Sequence, residues 1–168
     1  MAGVNGTMIK HLVDAYLGSR DFERVLASQD QYRYWLRVLC DTAFVDRSVG
    51  QLKYRQLTTP QAQMIYDTLS DRGITFANRI TGVTRKMFNY AKKYGIVDNN
   101  PWSSIQTLTP KPRKVMWQPQ DIQRFLEVAY SRFETRSVGL IAQMAYEWAQ
   151  RIGDMRLLTW DSIDFENK

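Results

Sequence analysis

Cysteine and histidine are nearly missing from this 168-residue chain: Cys40 is its one cysteine and His11 its one histidine. That leaves no material for an intrachain disulfide, a Cys/His zinc cluster, or a local Cys–His or Ser–His catalytic pair. His11 reads as an ordinary residue of a first helix, and Cys40 as part of a core. Long apolar runs are missing too. None approaches the ~18 to 20 residues that span a bilayer, and the opening Met1–Gly6 lacks the basic and apolar regions of a secretory signal. The expectation is a soluble, cytoplasmic protein with no membrane partner. Acid is missing from one long stretch: Ile74 to Val97 contains no Asp or Glu.

What is present is an ordinary globular composition with a positive balance. Hydrophobic residues make up 44% and charged residues 24%, so the chain should fold rather than remain disordered. Lys and Arg number 23 against 17 Asp and Glu, a net charge of +6. Residues 1–116 carry seventeen basic and nine acidic residues, net +8, whereas residues 117–168 carry six and eight, net −2. The positive field belongs to the first part, and a nucleic acid is the first partner to consider.

Hydrophobic spacing predicts four helices in the first hundred residues. Thr7 to Leu17 places Met8, Leu12, Ala15 and Tyr16 on one side after a Thr7 cap. Asp30 to Phe44 aligns Tyr32, Trp35, Leu36, Leu39 and Ala43. Thr59-Pro60 reads as a cap followed by proline at the first helical position, opening a helix to about Leu69 that Arg72-Gly73 closes. Phe76, Ile80, Val83, Met87, Tyr90 and Tyr94 then form a stripe that Gly95 ends. One apolar face on each makes a four-helix bundle.

Residues 105–116, with Pro110, Pro112, Lys111, Arg113 and Lys114, read as a basic linker between a helical domain at 1–104 and a second domain at 117–168. The latter should open with a helix burying Ile122, Phe125, Leu126 and Ala129. A second, from about Ser137, should bury Leu140, Ile141, Met144, Ala145 and Trp148, and a strand should begin near Ile163. A piece of this size falls below the ~60 residues at which a lone domain is already marginal, and it reads as the beginning of a domain.

The acid-free helix is the strongest binding candidate. Arg79, Lys86 and Lys93 repeat every seven residues, with Asn78, Arg85, Asn89 and Lys92 beside them. Arg33 and Arg37, one turn apart on the second helix of the bundle, then Lys53 and Arg55 after it, extend the basic surface. Lysines and arginines hold phosphates, and Asn or Arg can read base edges in the major groove. Another reading stays open: a basic helical module that binds acidic proteins.

The most specific stretch is Trp148 to Asp164. An arginine follows a helix, Gly153 permits a turn or close approach, and Leu157, Leu158, Trp160 and Ile163 anchor the segment around Arg151. A rigid, permanently charged guanidinium suits a phosphodiester. Arg151-Ile-Gly-Asp154 with Leu157, Leu158, Trp160, Asp161, Ile163 and Asp164 resembles the first arginine box of the tyrosine recombinase, or phage integrase, family. Residues 7 to 102, with Gly95-Ile96-Val97 and Asn100-Pro101, are similar to that family's core-binding domain, and Trp117 onward to the opening of its catalytic domain.

The resemblance implies a mainly α-helical fold, a four-helix SAM-like bundle followed by the helical start of a catalytic domain, acting in DNA integration and recombination. It implies that Arg151 binds the scissile phosphate, with Asp154 as a supporting acid. The intact enzyme would cleave through a tyrosine, with no metal or nucleotide cofactor, and could assemble as a homo-oligomer on double-stranded DNA. Ala149 stands where a glycine commonly precedes the box. Lys168 comes before the family's later lysine, H-x-x-R segment and nucleophilic tyrosine, so half an active site is expected, on a chain that binds duplex DNA without cutting it. A stand-alone regulator or recombinase remnant that occupies DNA sites without catalysis is the other reading the resemblance leaves open.

Overall fold

In the computed structural model, which describes residues 4, 6–25, 27–112, 114 and 116–162, the helix boundaries follow local hydrogen bonding. Helix α1 spans Ile9–Leu17 and starts at Met8 rather than Thr7. The reason is that Thr7 and Met8 lie extended against residues 52–54: Tyr54 N–H donates to Thr7 O, and Ile9 N–H to Leu52 O at 2.8 Å. The Met8 N–H, an orphan donor at the helix start, is satisfied by Nδ1 of His11 at 3.2 Å.

A single-turn helix α2 (Arg20–Glu23), capped by Ser19, precedes α3 (Gln29–Asp41). The periodicity predicted α3 through Phe44, but Thr42 is extended and Ala43–Phe44 (β1) pairs antiparallel with Arg47–Ser48 (β2). Phe44 therefore reaches the core from a hairpin rather than from a helix. Helix α4 (Thr59–Ser70) is capped by Thr58, not Thr59. Thr58 and Gln61 form a reciprocal box, the Gln61 N–H donating to Thr58 Oγ1 and the Thr58 N–H to Gln61 Oε1, which fixes the start one residue earlier.

Helix α5 (Ile74–Lys93) is the longest element, at 20 residues. It ends where Gly95 adopts φ +67°, a conformation glycine reaches without a Cβ clash. The Ile96 N–H returns to Ala91 O at 2.8 Å and the Gly95 N–H to Lys92 O, the pairing of a Schellman stop. Near its middle lies Gly82. A Cβ placed there would meet nothing within 4 Å, so packing does not demand glycine, and the residue costs about 1 kcal/mol relative to alanine.

The first compact unit, Met1–Lys111, is built on a core shared by α1, α3, α4 and α5, including Leu12, Leu36, Ile65, Leu69, Ile80 and Met87. Chain past Asn100 is sewn onto it. Trp102 is fully buried and Ile105 nearly so. Gln63 and Gln106 exchange hydrogen bonds, and Tyr66 Oη accepts from the Leu108 N–H at 2.7 Å.

The second unit, Pro112–Lys168, packs α6 (Pro119–Ser131) on α7 (Arg136–Glu147), with Gly139 against Ala129 and the short helix α8 (Ile152–Arg156) after them. Trp117 meets the Phe125 ring edge-on. Two of the residues expected inward on α7, Leu140 and Trp148, are exposed, because two packed helices bury only one stripe each. The strand expected near Ile163 lies outside the described residues.

Burial beside the α1–α3 core pushes the Cys40 thiol from its ordinary 9.0 to about 11, with the Asp41 and Asp14 carboxylates adding to the effect. Tyr16 is pushed from 10.0 to about 12, mainly by burial. Each group holds its proton more tightly folded than unfolded, so its contribution is whole below the ordinary value and is lost as pH climbs toward the folded one. Urea midpoints should stay level until about pH 9 and fall above it; Cys40→Ala should flatten the first part of that fall.

Candidate nucleic-acid interface

Helix α5 divides its circumference by residue type. Ala77, Ile80, Thr84, Met87, Phe88 and Ala91 face the core. At 3.6 residues per turn, the remaining arc carries two basic rows. Arg79, Lys86 and Lys93 form one row, beside α3. Arg72, just before the helix, continues its seven-residue spacing and was missed as a candidate; extending the repeat one step ahead of Arg79 would have found it. Arg85 and Lys92, with Asn78, form the other row. Between them run Thr75, Gly82 and Asn89, also seven apart.

Neighbours tether the first row. The Lys86 ammonium donates to the Tyr32 hydroxyl of α3 and lies 4.9 Å from that ring's centroid. The Arg72 guanidinium sits over Phe76 at 4.5 Å and that of Arg33 over Phe22 at 4.9 Å, contacts that hold a cation in place without neutralising it. Lys93 is different: its Nζ lies 3.0 and 3.1 Å from the two Asp21 oxygens, and that hydrogen bond raises the lysine's pKa. Arg79 is exposed and borders a hollow that it lines with Tyr34, Trp35 and Phe76 and, on the polar side, Asp30. Arg37 pairs loosely with Asp41 at 3.9 Å in full solvent, a contact of little energetic weight.

The second row is held by the chain that follows the helix. Asn100, buried, donates through Nδ2 to Arg85 O and to Asn89 Oδ1, and accepts the Trp102 N–H. Arg85 Nε in turn donates to Trp102 O at 2.9 Å. The Asn89 carbonyl is thus occupied, and its exposed amide keeps its Nδ2 hydrogens as the donors it can offer. Asn78 is placed otherwise. Its Oδ1 accepts from Tyr66 Oη and its Nδ2 donates to Leu108 O, both at 2.9 Å, so its amide ties residue 108 to the bundle instead of being presented outward.

Not every candidate cation joins these rows. Lys53 borders a separate hollow with Arg47, Gln51 and Gln56, and Arg55 another with Thr58 and Asp98–Pro101. Lys111 and Lys114 are exposed, and Arg113 lies outside the described residues.

In the second unit, Arg151 is exposed and extended (φ −72°, ψ 141°), and its carbonyl accepts the Asp154 and Met155 N–H groups to start α8. Among the described residues no carboxylate pairs with it, and Asp154 is exposed in the first turn. Leu157, expected as an anchor, is 80% exposed; Met155 is the residue α8 buries. Ala149, two residues before Arg151, has φ +51°, a left-handed conformation that crowds its Cβ.

Two solved structures of the Tn1549 transposon integrase, each in complex with a circular intermediate DNA, align with 96% of this chain at TM-scores of 0.69 and 0.70 and 17% sequence identity. The chain shares the fold of the part of those integrases that it spans. The chain spans about half the length of those integrase chains, 51% of each. No family model matches the sequence, and no curated protein does. At this identity the likeness establishes a shared fold. Among the described residues, no helix is long and apolar enough to cross a membrane, and no group of three or more His, Cys, Asp and Glu side chains could hold a metal ion.

Asp21→Asn should release Lys93 and strengthen binding to a polyanion such as heparin, read as later elution from a heparin column; unchanged elution would show that the pair does not mask the lysine. Ala149→Gly should relieve the strained turn and stabilise the second unit by about 1 kcal/mol, read by urea unfolding.

Proposed function

We propose that this chain is the duplex-DNA-binding part of an integrase-type, site-specific tyrosine recombinase. The observation that carries the reading is the pair of basic rows on the exposed arc of α5, in a fold whose solved counterparts are integrase–DNA complexes. In this reading, residues 1–104, with the 105–111 segment packed on them, form the core-binding domain, and 117–168 the opening of the catalytic domain.

Arg79, Lys86, Arg85 and Lys92 would neutralise phosphates on either side of a groove, with Arg33, Arg37 and Arg72 extending the contact across α3. Lys93 would contribute less, because Asp21 already holds it. Lys53, Arg55, Lys111, Arg113 and Lys114 would add long-range attraction. Arg151, exposed and free of an ion pair among the described residues, would bind the phosphate at which the strand is exchanged. Its planar fork can hold two non-bridging oxygens as charge builds on them. Asp154, one turn away, would orient that arginine. None of the nine tyrosines here is proposed as a nucleophile, so the chain by itself would bind without cutting.

The test is a salt titration of binding to duplex DNA. Arg79→Ala/Lys86→Ala/Lys92→Ala should lower the log–log salt slope by about 0.9 for each phosphate left without its cation, and weaken binding at least about tenfold near physiological salt. Arg151→Ala should change affinity only modestly. Parent-like affinity and slope in the triple variant would sink the reading.

A further inference from the structure

Gly82 has no intramolecular reason to be glycine. It lies near the middle of a 20-residue helix, it is absent from the positive-φ positions, and a side chain there would project into open space. A glycine that lowers helix stability and relieves no crowding within the molecule fits a place where a ligand approaches the backbone closely. Its position supplies the direction. Gly82, half-buried, sits between the two basic rows on the central line with Thr75 and Asn89, on the opposite side of the helix from the buried Ile80, Thr84 and Ala91.

We propose that Gly82 is the point of closest approach between α5 and duplex DNA, where helix backbone rather than a side chain meets the floor of the major groove. The inference rests on the duplex-binding reading of α5. The dimensions favour it: a helix with its side chains is about 10–12 Å across, and the major groove is about 12 Å wide, so a seated helix has little room to spare. Flanking cations would grip the two phosphate walls while the missing side chain lets the axis sink. Asn89, two turns on, is then carried to base-edge depth. Its carbonyl is held by Asn100, so it would offer N–H donors to acceptors such as guanine N7 and O6.

The experiment uses the whole chain, a labelled random-sequence duplex, and a melting curve for each variant. Gly82→Ala should melt a few degrees higher yet bind several-fold more weakly, and Gly82→Leu should fold normally and bind at least about tenfold more weakly. Opposite signs for stability and affinity separate an external contact from damage to the fold. If Gly82→Leu binds like the parent while Arg79→Ala/Lys86→Ala/Lys92→Ala binds more weakly, DNA meets α5 elsewhere and the inference fails alone. If the triple variant also binds like the parent, the duplex-binding reading fails and takes this inference with it.

Discussion

A long helix in a small bundle must commit one arc to the core and leave the other to whatever lies outside, and the first unit is organised around how α5 meets that constraint. Its buried arc carries Ile80, Val83, Met87, Phe88 and Tyr90 with alanines and threonines between them, and no charged residue of the helix is buried. Because no acid lies between Ile74 and Val97, the exposed arc has a single sign. A mixed surface would have satisfied folding equally well. The positive field is therefore a feature the bundle permits rather than one it requires.

Holding those cations in place falls to neighbouring elements. Tyr32 on α3 fixes Lys86, Phe76 and Phe22 lie beneath arginines, and the Asn100–Trp102 segment folds back to engage Arg85 and Asn89. Side chains ordered before a partner arrives lose less entropy on binding. Lys93 shows the opposite arrangement, since an acid from α2 holds it and partly cancels its field.

Glycine and alanine are placed against local preference at two positions. Gly82 stands where alanine would serve the helix better, and Ala149 where glycine would relieve the turn. Both flank functional candidates, the basic rows in one unit and Arg151 in the other. Locally unfavourable choices of this kind, a propensity cost at Gly82 and a strained turn at Ala149, persist where something other than local stability governs the residue.

Periodicity and composition were enough to locate the long helices, the Gly95 stop and the basic seven-residue spacing, because each is written in the local order of residues. The same residues could not show that Thr58 and Gln61 would set the start of α4, or that Phe44 would leave its helix for a hairpin; such choices depend on competition among nearby donors and acceptors. Nor could spacing separate Asn78 from Asn89. Both lie on the polar side of one helix, yet Asn78 is spent on Tyr66 and Leu108 while Asn89 keeps its donors. The order of residues along α5 dictates which of its arcs is polar and positive. Which polar groups on that arc remain unspent is fixed only once the chain has folded, because a hydrogen bond is assigned by the segment that folds back to meet it, and for Asn78 that segment lies 30 residues away along the chain.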